Sequence, residues 1–229
     1  MVRRWHNMIM TKVKTDIPDE LREPLLRAAL AHVPFEGWSY KILPLAAKEL
    51  NLDTGLADLA FPGGVGDMID MLAKQQDQKM IKACPDEILQ GLKIRQKITR
   101  LVRSRIEAEQ DIREAARSTV TYLARPGNTT LGLKLLYRTV DLMWKTIHDP
   151  STDFNYYTKR LTLSGVYSAT FLYWLNDDSE DYVETWAFLD RRITNVMQFE
   201  ETKAKFKTMT TKLPDLWHNI SGLRYPPNS

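Results

Sequence analysis

The 229-residue sequence predicts an all-α protein, a bundle of about nine to ten helices. Apolar residues recur every three or four positions along almost the whole chain, whereas no segment shows the apolar-polar alternation of a β-strand. Clusters at 61–64 (Phe-Pro-Gly-Gly) and 125–128 (Arg-Pro-Gly-Asn) interrupt the pattern and mark turns. Hydrophobic residues make up 43% of the chain and charged residues 27%, which is the composition of an ordinary globular protein.

The periodicity places the helices one after another along the chain. Pro24 lies inside the first pattern, so the alternative start of that helix is Glu23. The apolar stripe through 86–124 fits either one long helix or two abutting helices. In chain order we predict helices at 18–33, 39–50, 53–59, between Gly64 and Pro85, at 86–124, 130–147, 152–176 and 180–200, and an amphipathic segment at 202–220.

The first three predicted helices resemble the DNA-binding unit of TetR-type regulators in layout. Two short helices meet at a turn near Asn51, and the second of them ends at the 61–64 cluster, which is helix-turn-helix spacing. This resemblance implies three parts. They are a helix-turn-helix-like unit at 18–64, a TetR-like ligand-binding and dimerisation domain at 65–200, and an amphipathic C-terminal segment at 201–229.

The helix that would read DNA has the wrong chemistry for that task. Residues 53–60 include Asp53 and Asp58 and no basic residue, and the net charge of the chain is only +3. A recognition helix needs Arg, Lys, Asn or Gln for the bases and positive charge against the phosphates. A TetR-type, ligand-responsive transcriptional regulator therefore stands as the alternative function.

No set of residues in the sequence assembles an active site. The four histidines form no His-x-x-x-His or Glu-x-x-His pair, so we expect neither a zinc site nor a di-iron carboxylate site. Cys84 is the single cysteine, which excludes an internal disulfide, and we interpret it as a small packed hydrophobe. We expect no catalysis and no metal.

Membrane insertion and secretion also lack a sequence signal. No apolar run approaches the roughly 20 residues that cross a bilayer. The basic start at 1–5 is followed by no apolar core or cleavage site, so it is not a secretory signal, whereas a short mitochondrial presequence stays open.

A run of basic residues lies within 93–105 and includes no acid. Its members are Lys93, Arg95, Lys97, Arg100, Arg103 and Arg105. We predict a solvated helix face opposite the apolar positions Ile94, Ile98 and Leu101; attraction to anionic lipid headgroups is the second interpretation.

Three motifs in the second half of the chain are more specific. They are Asp141-x-Met143-Trp144, the run at 151–160 (Ser-Thr-Asp-Phe-Asn-x-Tyr-Thr-x-Arg) and the run at 185–189 (Thr-Trp-x-Phe-Leu). Together with Gly-Trp at 37–38 and the 61–64 cluster, they closely resemble the Coq-nine family of accessory proteins in ubiquinone (coenzyme Q) biosynthesis, which have a TetR-like fold. The resemblance extends over nearly the whole chain from about residue 22.

This resemblance implies a non-catalytic homodimer that needs no cofactor and binds a lipid, either an isoprenoid quinone intermediate or a phospholipid. Family members present polyprenyl quinone intermediates to demethoxyubiquinone hydroxylase, a separate di-iron enzyme, at the membrane. The helices at 152–176 and 180–200 are expected to form the dimer bundle. The expected location is the cytoplasm, peripheral to the inner membrane, in a bacterium, or the matrix side of the mitochondrial inner membrane in a eukaryote.

The resemblance also implies a surface for the hydroxylase on the two helices that flank the Asp-Phe-Asn run. The matching positions are Asp141, Met143, Asp153, Tyr156 and Tyr157. Tyr156 stands where the family pattern has Trp, which keeps an aromatic anchor with less apolar area. Adjacent helical positions differ by about 100°, so only one of the two tyrosines can face the core. Asp153 has an equal alternative role as a helix cap.

The C-terminal segment has the pattern of a basic amphipathic helix. Its apolar positions, which we assign to membrane contact and lipid gating, are Phe206, Met209, Leu213, Leu216, Trp217 and Ile220. Packing onto the dimer partner is the alternative. Pro214 would cost about 3 kcal/mol inside a helix, so we expect a kink or a break there.

Overall fold

The computed structural model describes residues 2–152 and 154–195, with side chains described at 19–152 and 155–195. Every regular element within these residues is helical, which confirms the all-α prediction. The helices are α1 (Val2–Glu36), α2 (Ile42–Glu49), α3 (Thr54–Ala60), α4 (Val65–Ala83), α5 (Asp86–Leu89), α6 (Ile94–Glu107), α7 (Arg113–Leu123), α8 (Thr129–Thr146), α9 (Phe154–Trp174) and α10, whose described part is 183–195; 3-10 turns at Gln110–Ile112 and Glu180–Tyr182 precede α7 and α10.

The predicted start of the first helix is wrong. α1 begins at Val2 and continues through Pro24, which lacks the N–H that the helical ladder would use. The side chains that follow, Leu25 and Leu26, are almost completely buried. Tertiary packing of this apolar face therefore outweighs the local cost of the proline.

The region 86–124 also differs from its prediction, because it forms three helices rather than one or two. Gly91 has a φ of +78°, in the left-handed region, and lies in the turn between α5 and α6. The backbone N–H of Lys93 donates to Gln96 Oε1 at 2.9 Å and caps the start of α6. The 3-10 turn at Gln110–Ile112 then separates α6 from α7. Neither break interrupts the apolar stripe, so periodicity alone could not place them.

Two apolar clusters form the core of the described residues. One joins α1, α2 and α3 to the first half of α4 and to α7, and the other joins the end of α4 to α6, α8, α9 and α10. α4 belongs to both, with Met68 in the first cluster and Met80 in the second. α4 thus connects the N-terminal unit to the rest of the bundle.

The N-terminal unit is fixed to α7 by a buried tryptophan. Trp38 is 2% exposed, and its Nε1 donates to Thr119 Oγ1 at 2.8 Å. Gly37 has a φ of +61° and ends α1, a conformation that a side chain would strain. The Gly-Trp pair therefore ends one helix and docks the unit that it belongs to.

The turn between α9 and α10 is organised by a buried carboxylate. Asp177 is 4% exposed and accepts hydrogen bonds from the backbone N–H groups of Ser179 and Thr185, at 2.9 and 2.8 Å. Burial alone would raise the pKa of Asp177, but the hydrogen bonds from Ser179 and Thr185 outweigh it and lower the pKa to about 2. Arg113 on α7 donates to the backbone oxygens of Trp174 and Asp177, which attaches this turn to the bundle.

Candidate functional site: a central cavity and the α8–α9 surface

A pocket that is partly open to solvent, the central cavity, lies among α4, α6, α7, α8 and α9 and has a volume of about 530 Å³. Cavities of this size hold small organic ligands. Exposed Leu133 and Leu172 stand at its rim, whereas Leu72 and Arg105 form part of its buried wall. Its lining is mostly apolar and comprises Ile69, Leu72, Ala73, Arg105, Glu109, Ala116, Thr119, Val120, Leu123, Ala124, Thr129, Gly132, Leu133, Leu135, Leu136, Thr139, Tyr167, Ser168, Phe171 and Leu172.

A buried ion cluster forms the polar part of the cavity wall. Arg105 donates from Nε to Asp77 Oδ1 at 2.8 Å and from Nη1 to Glu109 Oε1 at 2.7 Å, and the three side chains are at most 8% exposed. Thr139 Oγ1 adds a hydrogen bond to Asp77 Oδ1 at 2.9 Å. Burial by itself would lower the pKa of Arg105. The opposite effect of Tyr167, Glu109 and Asp77 is larger and holds the pKa well above its ordinary value. The arginine therefore stays charged and fully paired.

Tyr167 lies beside this cluster and lines the same cavity. Its side chain is buried, and burial, with the carboxylates of Glu109 and Asp77, raises the pKa of Tyr167 to about 12 against the opposing effect of Arg105. The phenol is therefore neutral at physiological pH and can donate a hydrogen bond.

The second part of the site is the α8–α9 surface, centred on Asp141. The Asp141 carboxylate accepts hydrogen bonds from Tyr156 Oη at 3.0 Å and Arg160 Nε at 2.7 Å, and Lys145 Nζ lies 2.7 Å from its other oxygen. Burial by itself would raise the pKa of Asp141. The hydrogen bonds from Lys145, Arg160 and Tyr156 outweigh this effect, so the pKa lies below its ordinary value. Arg160 also lies over the Tyr156 ring, 3.3 Å from its centroid. These contacts fix Tyr156 in one position.

Tyr157 is the exposed member of the tyrosine pair, with 67% of its surface accessible, whereas Tyr156 is half-buried. This confirms that the neighbours point in different directions. The two rings meet edge to face, with centroids 5.1 Å apart. Exposed Leu161 and Tyr137 extend the α8–α9 surface on either side. Single exposed apolar residues are common, but a contiguous group of this kind is typical of a contact surface.

An external cleft of about 620 Å³ runs along the α8–α9 surface, lined in part by Tyr157, Arg160 and Leu161. Leu133 and Leu136 line both this cleft and the central cavity. The internal space and the exposed aromatic surface therefore share one wall of α8.

The structure places the predicted partner-binding residues in different environments. Asp141, Tyr156 and Tyr157 come together at the α8–α9 surface, whereas Met143 is fully buried in the core of the bundle and supplies packing. Asp153 lies outside the described residues. Their role in partner binding stays a prediction.

The predicted membrane and gating residues also lie outside the part of the chain that the structure describes. They are Phe206, Met209, Leu213, Leu216, Trp217 and Ile220. Their role stays a prediction.

Sequence reasoning missed the ion cluster that forms the polar part of the cavity wall. Arg105 was assigned to a solvated basic face, yet its side chain is 5% exposed and faces Asp77 and Glu109. The usable signal was Glu109, four residues after Arg105, because that spacing brings opposite charges together on one helical face. Asp77, which is 62 residues from Thr139 and on another helix, carried no local signal.

The predicted base-reading helix is present and keeps its acidic character. α3 spans Thr54–Ala60, and the Asp53 side chain caps it by accepting from Gly55 N at 2.8 Å. Asp58 is exposed on the same helix. The exposed face of α3 therefore carries negative charge where phosphate would approach.

Among residues 2–152 and 154–195, no helix is long and apolar enough to cross a membrane. No cluster of three or more His, Cys, Asp or Glu side chains that could hold a metal ion occurs in the same described residues.

Residues 129–200, which include α8, α9 and the described part of α10, match the family model described as COQ9. We call this stretch the COQ9 domain, after the family model that it matches. The match confirms the Coq-nine resemblance of the sequence motifs. The COQ9 domain contributes both Asp141 and Tyr167, so it includes the α8–α9 surface and one side of the central cavity.

Curated relatives extend the similarity beyond the COQ9 domain. The ubiquinone biosynthesis protein COQ9, mitochondrial, of Xenopus tropicalis is 31% identical over 186 residues, which cover 78% of this chain and 58% of the relative. The proteins of the same name from Rattus norvegicus and Homo sapiens are 29% and 28% identical, and their alignments cover 83% of this chain and 63% and 62% of each relative. The chain thus spans about three fifths of the length of these relatives.

A solved structure supports the fold. A TetR transcriptional regulator from Nitrosomonas europaea ATCC 19718 superposes with a TM-score of 0.64 at 20% identity, over 76% of this chain and 96% of the regulator. The TetR-like architecture predicted from the helix layout is therefore confirmed, and at this identity the likeness concerns the fold alone.

Proposed function

We propose that this chain is a non-catalytic lipid-binding protein of ubiquinone biosynthesis. It holds a polyprenyl quinone intermediate in the central cavity and presents it to demethoxyubiquinone hydroxylase at the membrane. The observation that carries the proposal is the mostly apolar cavity of about 530 Å³, one side of which is built by the COQ9 domain. Such a cavity suits an isoprenoid chain, because burial of apolar surface is worth roughly 25 cal/mol per Å².

The α8–α9 surface is our candidate for the hydroxylase contact. Tyr157 supplies an exposed aromatic ring, and Asp141 holds neighbouring Tyr156 in place through a hydrogen bond. Aromatic side chains of this kind are enriched among the residues that dominate binding at protein interfaces. The wall shared through Leu136 puts this contact next to the stored lipid.

The remaining parts of the proposal rest on the family. Residues 206–220 contact the membrane and gate lipid access, and two copies pair through α9 and α10. The location follows the host: the matrix side of the mitochondrial inner membrane, as the names of the relatives suggest, or the cytoplasmic periphery of a bacterial inner membrane. Sedimentation of the purified protein tests the dimer directly.

The TetR-like fold also raises DNA binding as an alternative function. The exposed Asp58 of α3 and its capping Asp53 oppose contact with phosphate, and α3 includes no basic residue. We therefore favour lipid binding. Salt-sensitive binding of duplex DNA would support the alternative.

A bulky residue in the shared wall tests lipid storage. Leu136→Trp should fill part of the cavity and weaken binding of a short-chain prenylated benzoquinone at least tenfold, a loss of about 1.4 kcal/mol. Leu59→Trp is the matched control, because Leu59 is 62% exposed on α3 and is not among the residues that line the cavity. Calorimetric titration of the wild type, Leu136→Trp and Leu59→Trp measures the three affinities. Equal affinities, with the fold of Leu136→Trp intact by circular dichroism, would contradict storage in this cavity.

The partner contact needs its own experiment. Tyr157→Lys should weaken capture of demethoxyubiquinone hydroxylase in a pull-down, because it removes an exposed aromatic ring, and should leave the bound lipid unchanged. Leu59→Lys changes an equally exposed apolar residue elsewhere and serves as control. If Tyr157→Lys captures as much hydroxylase as the control, the proposed surface is wrong.

A further inference from the structure

Most polar groups in the wall of the central cavity already have partners. Thr139 donates to Asp77, and Thr119 accepts from Trp38 while donating to the backbone oxygen of Ala115. These groups satisfy one another and hold the helices together. They are therefore poor candidates for recognising a ligand.

Two neighbouring hydroxyl groups on α9 differ from these partnered groups. Tyr167 and Ser168 both line the cavity, and neither side chain forms a hydrogen bond within the described part of the chain. Tyr167 is 8% exposed, yet its hydroxyl is not among the fully buried side-chain atoms that lack a partner, so it faces open space in the cavity. A hydroxyl that faces a mostly apolar cavity without a protein partner can form a hydrogen bond with an oxygen of a bound ligand.

The charges of the wall exclude an anionic head. Arg105 is the one basic residue among the described lining residues, and Asp77 and Glu109 occupy it at 2.8 and 2.7 Å. A phosphate needs an available Arg, Lys or row of N–H donors. It would instead meet two carboxylates, so the buried end of the cavity suits an uncharged oxygen.

We propose that Tyr167 is the hydrogen-bonding anchor of the cavity and selects lipids whose head is an uncharged, oxygenated ring, a prenylated phenol or quinone, over phospholipids. The inference rests on the proposed lipid-binding function and adds the residue that binds the ring oxygen and the orientation of the ligand. The ring oxygen meets the Tyr167 hydroxyl at the buried end, and the isoprenoid chain extends towards the rim at Leu133 and Leu172. The head is thereby held in the interior before its transfer.

The state of the phenol fits this role. Burial and the two carboxylates raise the pKa of Tyr167 to about 12, so the hydroxyl keeps its proton throughout the physiological range. It can donate to a quinone carbonyl and can accept from a phenol or quinol hydroxyl. One anchor thus serves both redox forms of such a ring.

Competition between two matched probes tests the anchor. The full chain is mixed with a short prenylated benzoquinone and with the prenylbenzene that lacks its ring oxygens, and the bound fractions are measured by native mass spectrometry. The wild type should prefer the quinone by about three- to tenfold, the range of one net hydrogen bond. Tyr167→Phe should abolish that preference and leave the prenylbenzene affinity unchanged, because the ring is kept and only the oxygen is lost.

Thr129→Val is the control, since it removes a different hydroxyl from the lining at an exposed position. It should keep the preference. The anchor role of Tyr167 would be contradicted if Tyr167→Phe kept the preference for the quinone, or if it lost affinity for both probes equally. Neither result would contradict lipid storage in the cavity. Tighter binding of a phospholipid than of the quinone would also contradict the anchor role. Failure of the wild type to bind either probe would instead contradict the proposed function itself.

Discussion

At the scale of single residues, carboxylates paired with several donors hold the candidate site together. Asp141 receives three charged or hydroxyl donors, and one of them, Arg160, is only 4% exposed. Removal of the carboxylate would leave that buried guanidinium without its charged partner, and the backbone oxygen of Tyr156 would be its remaining acceptor. The loss of one partner of a buried pair costs more than the pair itself contributes.

Asp141→Ala should therefore lower the free energy of unfolding by about 3 to 5 kcal/mol. Lys145→Ala, which removes a 67% exposed partner of the same carboxylate, should change it by about 0 to 1 kcal/mol. Urea denaturation of both variants measures the difference. Similar losses in the two variants would show that Arg160 does not depend on Asp141.

Asp177 predicts a pH dependence of stability. Its folded pKa of about 2 lies below the ordinary value of 3.8, so its contribution is fully present above about pH 4 and is lost as the pH falls through 2. Asp177→Asn should lower the free energy of unfolding at pH 5. The difference in that free energy between the variant and the wild type should become smaller near pH 2. Denaturation at both pH values tests this; a gap that stays constant would contradict the assigned role.

At the scale of elements, the sequence predicted α8 and α9 well and the start of α1 and the region 86–124 poorly. α8 and α9 begin and end within two residues of their predicted bounds, because each carries an uninterrupted apolar stripe between clear turn signals. The region 86–124 is interrupted at Gly91 and at a 3-10 turn, and both breaks leave the apolar stripe intact.

The surface residues of the candidate site could be predicted from motifs on α8 and α9. The ion cluster could not, because Asp77 meets Arg105 only through the packing of α4 on α6.

Two glycines test this distinction between a turn and a helix. Gly91 has a φ of +78°, so Gly91→Ala should destabilise the protein by about 1 kcal/mol or more. Gly165 lies inside α9 with open space around a new Cβ, and Gly165→Ala should stabilise it by about 0.5 to 1 kcal/mol. Thermal unfolding of both variants checks the opposite signs, and equal signs would contradict the account.

At the scale of the whole molecule, the candidate ligand site of this TetR-like fold lies in the helical bundle and not on the helix-turn-helix-like unit. α3 offers acidic groups to a solvent-exposed face, whereas the COQ9 domain builds one side of a cavity and, on α8, the surface beside it. Storage and delivery would then share the wall that includes Leu133 and Leu136. Bound lipid should stabilise the folded state by mass action, so removal of the lipid should lower the melting temperature.

The most direct measurement is mass spectrometry of the organic extract of the freshly purified chain. We expect an isoprenoid lipid with an oxygenated ring, in a near-stoichiometric amount, and a much smaller amount from Leu136→Trp. An extract without lipid, together with binding of duplex DNA that weakens as salt rises, would contradict the account and favour a transcriptional regulator.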